Sequence, residues 1–399
     1  MSLNYKHTIF ASYVGYLTQA IVINFPPLLF VTLERDYGIT MGRLSLLIAI
    51  SFCTQLSADI LAAKFSHRVN PRLFSVLAHV FAVVGMTGYA WLPRVMPDPY
   101  VGIVLSVMLS AVGGGIIEVL ISPIVEACPT DEKSTSMSLL HSFYCWGMAG
   151  VVLFSTLFFA LIGLEHWQIL ACLWAIVPLL GVVAFCFVPI YPLESPAERS
   201  GDKPTASLLR SGMFWIFFIM MICAGAAEQA MSQWASTFAE SGLGVSKAMG
   251  DLLGPCAFAI LMGISRLAYG KSGGRIKLSR FIEISSALCI VSYLLAAISP
   301  HPILSLVGCA LCGLSVGILW PGTYSLATAR IPWGGLRMFA LLAMAGDMGC
   351  LAGPTAVGWI ASAFGNNLRI SFLTSILFPI VILLLIYLGL TKNQKHDRG

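Results

Sequence analysis

Residues 192–210 read PLESPAERSGDKPTASLLR, with three prolines and six charged side chains. This is the longest polar run in a chain of 399 residues that is 58% hydrophobic and only 10% charged. A soluble domain carries about 25% charged residues, so a chain of this composition lacks the polar surface that folding in water requires. Rich in Pro, Ser and charge, the run has the composition of a linker and not of a domain.

Outward from the linker, charged, Pro and Gly clusters divide the chain into twelve apolar segments. Six precede it, at 8–33, 43–65, 72–93, 99–127, 134–162 and 166–190. Six follow it, at 209–240, 246–270, 278–299, 302–330, 335–363 and 367–390. Each is long enough to cross ~30 Å of hydrocarbon as a helix rising 1.5 Å per residue. The expected fold is an all-α membrane protein with twelve transmembrane helices in two six-helix bundles, 1–191 and 209–399, joined by the cytoplasmic linker 192–208. The first segment has no small-residue cleavage site followed by a soluble body, so it reads as a retained span.

Lys and Arg set the orientation. With the N-terminus inside, 17 of them fall on the inner side and five, Arg35, Arg43, Arg94, Lys247 and Arg369, on the outer side, while Arg266 lies within span 8. The positive-inside rule then puts both termini and the linker in the cytoplasm, and the expected location is the plasma (inner) membrane.

The halves echo each other. Asp59-Ile-Leu-Ala-Ala-Lys64-Phe-Ser-His-Arg68, at the turn between spans 2 and 3, aligns with Arg266-Leu-Ala-Tyr-Gly-Lys271-Ser-Gly-Gly-Arg275 between spans 8 and 9 at a constant offset of 207. Gly115-Ile-Ile-Glu118 of span 4 likewise echoes Gly317-Ile-Leu-Trp320 of span 10. Six-span repeats in parallel are the plan of one large transporter class.

Acids at bilayer depth are the chemically informative residues, because each costs on the order of 3 kcal/mol to insert. Four lie well inside spans: Asp59, Glu118, Glu228 and Asp347. Glu118 follows Gly113–Gly115 and has no Lys or Arg within ten residues on either side. Glycines let a neighbouring helix or a ligand approach closely, and a desolvated carboxyl can take up and release a proton. The alternative is a protonated glutamate hydrogen-bonded between helices. Glu228 and Gln229 in span 7 could accept and donate to solute hydroxyls, or act as a second acid or a sodium ligand, with Trp234 as a stacking face or a packing residue. His141 suits a proton relay or a hydroxyl contact, or simple packing. Asp347, between Gly346 and Gly349, marks a close helix contact or a cavity wall. Asp59 and Arg266 read as gating charges or as snorkelling end residues. Asn24 and Gln55 are candidate hydroxyl partners, and Trp146 and Trp320 candidate aromatic walls, with Pro321 expected to bend span 10 beside Trp320.

These residues resemble the major facilitator superfamily. The 2–3 turn is a degenerate form of its signature, with Lys64 and Arg68 kept, Ala63 in place of the acid and Ser66 in place of the glycine. Within the superfamily the chain is similar to the fucose:proton symporter family, which includes fucose permeases and sodium-dependent glucose carriers. The resemblance rests on Gly-Gly-Gly-Ile-Ile-Glu118-Val-Leu-Ile-Ser-Pro123, on Leu140-His141-Ser-Phe143-Tyr-Cys-Trp146-Gly147, on Trp320-Pro321-Gly-Thr-Tyr324-Ser325-Leu326-Ala327, and on Gly225-Ala-Ala-Glu228-Gln229 with Trp234. It implies alternating access and uptake of a monosaccharide or similar polyhydroxylated solute with a coupling cation, a proton in preference to sodium. Glu118 then takes the place of the proton-linked glutamate of span 4, and His141 that of a sugar-contacting residue of span 5. Span 1 departs from the fucose permeases, offering Gln19 and Asn24 where they carry an aspartate. The expected coupling set is therefore Glu118, Glu228, Asp347 and His141, and the expected gating set Asp59, Lys64, Arg68 and Arg266.

The same reading narrows the alternatives. A drug or metabolite exporter of the same fold would suit the methionines of span 7. An intramembrane enzyme lacks any HExxH, GxSxG or P-loop motif, and a sensor lacks a signalling domain. Most of the eleven cysteines lie in apolar runs as small hydrophobes, without zinc-ligand spacing. No metal, cofactor or nucleic-acid partner is expected; the expected partners are solute, cation and lipid, and the protein is expected to be a monomer.

Overall fold

The computed structural model describes residues 3–65, 70–130, 133–192, 205–271 and 277–387. The described residues are helical, with no strand. Twelve helical segments among them are long and apolar enough to cross a membrane: Tyr5–Tyr37, Met41–Ala62, Pro71–Val95, Pro99–Glu126, Ser142–Ile162, Leu164–Phe187, Gly212–Gly242, Lys247–Tyr269, Leu278–Ile298, Pro302–Arg330, Met338–Ala363 and Leu368–Leu385. They are spans 1 to 12.

Local chemistry sets where these helices start and break. Asn4, Asn70, Asp98 and Asn367 each accept a backbone N–H two residues on, capping spans 1, 3, 4 and 12, with Pro71 and Pro99 in the first turn. Spans 6, 10 and 12 are interrupted at Ala175, Ile318 and Ile376. Each interruption lies three residues before a proline, Pro178, Pro321 or Pro379, because proline cannot donate to the carbonyl four residues back and its ring crowds that carbonyl. Span 1 breaks for the same reason at Pro26–Leu29, a short 3-10 turn. Hydroxyls inside the spans are satisfied by the carbonyl one turn earlier, as with Ser12 on Thr8, Ser106 on Gly102 and Thr323 on Leu319.

The chain divides into two compact units, Met1–Ser195 and Pro196–Gly399. Three helix pairings recur inside them. Span 1 packs on 5, 3 on 4 and 2 on 4 in the first unit, and 7 on 11, 9 on 10 and 8 on 10 in the second. The recurrence reaches single atoms. A Cβ built on Gly115 would meet Asp59 Oδ1 at 2.6 Å, the Gln55 carbonyl at 2.7 Å and Ala58 Cβ at 3.0 Å. A Cβ on Gly317 would meet the Met262 carbonyl at 2.7 Å and Ser265 Cβ at 2.8 Å. Residues 55 and 58 become 262 and 265 at the offset of 207 seen in the sequence. Only glycine permits either crossing.

Polarity runs opposite to that of a soluble protein. Leu161, Phe187 and Tyr387 turn two-thirds or more of their surface outward, as lipid-facing side chains do. Gln19, Gln55, Glu228 and Gln229 are at most 7% exposed. Free carbonyls at two helix ends are capped by arginine: Arg72 Nη1 donates to Phe185 and Cys186 at the end of span 6, and Arg369 Nη1 to Ala297 and Ser299 at the end of span 9.

Candidate functional site

In the first unit the site is built around Glu118. Span 4 presents it one turn after the glycines, and both neighbours reach the same oxygen. Gln19 Nε2 of span 1 donates to Glu118 Oε2 at 2.6 Å, and Gln55 Nε2 of span 2 donates to it at 2.8 Å. Both donors are neutral amides. Because they converge on Oε2, Oε1 is left to carry a proton or to meet a hydroxyl. Asp59, one turn from Gln55, places a carboxylate oxygen within 4.8 Å of one on Glu118. A turn further along, the Tyr16 and Ser122 hydroxyls share a 3.0 Å hydrogen bond. Asp59 is thus buried against Gly115 beside Glu118, not extended to a solvated helix end.

Other residues named from the sequence fall differently. The Asn24 amide donates to the Ala20 carbonyl of its own helix at 2.9 Å. Trp146 is exposed, and near it Tyr13 and Phe143 stack at 4.3 Å with a 7° interplanar angle. His141 and Lys64 lie on helices, but their side chains are outside the described residues, as is the whole of Arg68.

In the second unit Glu228 is 7% exposed on span 7. Gln229 Nε2 donates to Glu228 Oε1 at 3.4 Å, and Gln233 Nε2 to Gln229 Oε1 at 3.1 Å. Arg266 of span 8 lies near enough for its charge to act on Glu228. Its Nε donates to the Gly317 carbonyl at 3.1 Å. Arg266 therefore bonds to the break in span 10, within electrostatic reach of span 7, and does not snorkel away from the helices. Just past the break, Trp320 lays its ring over Gly346 of span 11: a Cβ there would meet Cη2 outright, and Cζ2 and Cζ3 at 2.6 and 2.8 Å. Asp347, half-buried, is the next residue. Of the two readings of Trp234, the structure matches the packing one: its indole is fully buried and its N–H is bound to the Pro354 carbonyl at 2.8 Å.

Two polar features were not anticipated from the sequence. Where span 7 ends and span 8 begins, Lys247 Nζ lies 3.0 Å from Asp251 Oδ2 and 3.7 Å from Glu240 Oε2. Ser236 Oγ donates to Asp251 Oδ1 at 2.5 Å. Wide π-turns at Phe238–Gly242 and Leu252–Cys256 flank this knot, a form that concentrates at functional places. The sequence signal was a lysine four residues before an acid at a helix start. The second feature is His79 of span 3, fully buried, with Nδ1 donating to the Ser75 carbonyl at 2.7 Å and the ring 5.2 Å from Phe185. A Cβ on Gly181 of span 6 would overlap the ring, so a glycine in one helix makes room for a histidine in another.

The comparisons agree with this architecture. The chain is 24% identical over 345 residues to membrane protein MosC of Rhizobium meliloti, covering 86% of this chain and 81% of that protein. Among solved structures, a point mutant of the nucleoside transporter NupG superposes with a TM-score of 0.77 at 14% identity, covering 96% of this chain and 99% of that one. A D-xylose-proton symporter gives 0.71 at 14% identity, covering 94% and 96%. At such identities these two likenesses show the fold alone. The sequence model of the Major Facilitator Superfamily matches residues 9–336. A chain with twelve apolar helices and that match belongs to the major facilitator superfamily and is a multi-pass membrane transporter, not an enzyme.

Proposed function

We propose that the protein takes up a small polyhydroxylated solute, a monosaccharide or a nucleoside carrying a pentose, by symport with a cation, a proton in preference to sodium. The observation that carries this reading is Glu118: a carboxyl at membrane depth whose two hydrogen-bond donors are the neutral amides of Gln19 and Gln55, at 2.6 and 2.8 Å on one oxygen. A cation partner would hold the carboxylate ionised. Amides satisfy it in either protonation state, so it can load and release a proton without being stranded.

Solute recognition is assigned to amide and carboxyl groups with an aromatic wall. Gln55 and Glu118 serve in the first unit, and Glu228, Gln229, Trp320 and Asp347 in the second, with His141 and Trp146 as further candidates. Glu228 and Asp347 are candidate second coupling acids, standing in for the acid that span 1 lacks. Asp59, Lys64, Arg68 and Arg266 are assigned to the conformational step of alternating access. The similar structures are in keeping with this chemistry, since one is a D-xylose-proton symporter and the other a nucleoside transporter. The excess of Lys and Arg on one side supports an inner-membrane protein with both termini in the cytoplasm.

The test is uptake into proteoliposomes of a labelled panel of pentoses, hexoses and nucleosides, with proton and sodium gradients imposed in turn. Accumulation driven by a proton gradient is expected. If neither gradient drives accumulation of any member, the reading is overturned, and outward pumping of a panel of lipophilic cations instead would make the protein an exporter.

A further inference from the structure

Span 10 carries an unusual piece of backbone chemistry. Its first helix ends at Val316 and its second begins at Leu319. In a continuous helix the Gly317 carbonyl would take the N–H of residue 321. That residue is Pro321, which has none. A bare carbonyl in a helix interior is costly when it is shut away from water, because its hydrogen bond to solvent is lost and not replaced. Here Arg266 Nε of span 8 donates to it at 3.1 Å. Gly317 also lacks the Cβ that would collide with the Met262 carbonyl and Ser265, so span 8 comes close enough for the guanidinium to reach. The ring of Trp320, adjacent to the proline, rests on Gly346, where any Cβ would strike it.

We propose that Arg266 is a positioning residue: its guanidinium replaces the hydrogen bond that Pro321 withholds from Gly317, and by fixing that break it sets the Trp320 ring on Gly346. This rests on the reading of Trp320 as part of the solute-binding wall and extends it by naming what holds the wall in place. The matching position in the first unit supports the assignment. Residue 119, which corresponds to Pro321, is a valine, and the helix Pro99–Glu126 runs unbroken through Gly115. There the Gly115 carbonyl has its own N–H donor, no arginine is needed, and the residue matching Arg266 is Asp59. The guanidinium also lies within electrostatic reach of Glu228 of span 7.

The test exploits the proline. Pro321→Ala restores the missing N–H and should make Arg266 dispensable for the backbone. The nine tryptophans are labelled with 5-fluorotryptophan in the full chain in nanodiscs, and the Trp320 resonance is identified by its loss in Trp320→Phe. Arg266→Met is expected to shift or split that resonance while leaving the other eight in place. In Arg266→Met/Pro321→Ala it is expected to return to its position in Pro321→Ala alone. An unmoved Trp320 signal in Arg266→Met overturns the proposal. So does a shift of the same size with or without Pro321, which would assign the arginine to Glu228 only. Should Arg266→Met fail to fold, adding Pro321→Ala must recover folded protein, and failure to recover it overturns the proposal too. No solute enters this measurement, so its outcome is independent of the uptake experiment: a protein that transports no sugar can still pass it, and a sugar symporter can still fail it.

Discussion

If the proposed symport holds, replacing Glu118 with glutamine should separate coupling from binding. The side chain keeps its length and one carbonyl oxygen, which can still accept from Gln19 and Gln55 at their present 2.6 and 2.8 Å. Its new NH2 group needs an acceptor, and leaving it without one costs about 1–3 kcal/mol. That penalty is within what a folded membrane helix bundle tolerates, so the variant should remain assembled. What it loses is the proton. Each pH unit of gradient is worth about 1.4 kcal/mol per proton, so one-to-one coupling to a two-unit gradient can drive a solute to roughly a 100-fold ratio. With Glu118→Gln the ratio should fall to 1, while exchange of labelled for unlabelled solute at equal pH persists. The assay is the plateau of uptake into proteoliposomes, not the initial rate, because a plateau is insensitive to how much protein is active. A Glu118→Gln protein that still concentrates solute above its external level would reduce Glu118 to helix packing. A variant with neither accumulation nor exchange, yet monodisperse in detergent, would leave Glu118 its solute-binding role and remove the case for a separate coupling one.

Further substitutions test other parts of the structure. Lys247→Met strands Asp251, whose side chain is 1% exposed, and should cost about 3–5 kcal/mol, whereas Lys247→Met with Asp251→Leu should cost far less than the sum of the single changes. Thermal denaturation of the purified protein measures this, and additive single effects would remove the pair from the account. Gly317→Ala puts a methyl 2.7 Å from the Met262 carbonyl, which backbone cannot cheaply avoid, so a loss of about 1–3 kcal/mol is expected; an unchanged melting temperature would contradict the close crossing of spans 8 and 10. Trp234→Phe gives up the 2.8 Å bond to the Pro354 carbonyl and should lower stability by about 1–3 kcal/mol while leaving the KM for solute unchanged. A raised KM with unaltered stability would return the indole to the solute wall.

The twelve spans were legible because length and hydropathy decide them almost alone. Acids at membrane depth were legible because so few residues there are charged at all. Their partners were not. That Gln19 and Gln55 converge on one oxygen of Glu118 depends on how three helices are rotated about their axes, and hydropathy carries no phase for helices that are apolar all round. Asp59 looked like a helix-end charge because it sits five residues before Lys64; only the crossing at Gly115 turns it inward. Trp234 is a case where the sequence leaves two readings open. A tryptophan spaced six residues from a glutamate suggests a stacking face, yet a carbonyl on span 11 claims its N–H. Lys247 and Asp251 were passed over because an i, i+4 pair at a helix start is common on solvated surfaces, and burial alone sets this one apart.

The two units use the same helix crossing for different chemistry, and one residue accounts for the difference. In both, a glycine of span 4 or 10 lies against a carbonyl of span 2 or 8, Gln55 or Met262. One turn further, the first unit places a carboxyl, Glu118, and the second an indole, Trp320. With valine at 119 the helix closes its own hydrogen bonds, so the neighbouring position 59 has no backbone acceptor to serve and can hold an acid, 4.8 Å or less from Glu118. With proline at 321 the helix opens, the exposed carbonyl demands a donor, and position 266 holds an arginine. An acid at 266 would face a bare carbonyl, two acceptors with no proton between them. An arginine at 59 would lie beside Glu118 and hold it ionised, against the proton release proposed for it. The charge at this repeated position thus follows from whether the helix opposite is broken, and the exchange Asp59→Arg should therefore damage coupling more than folding, whereas Arg266→Asp should damage folding first.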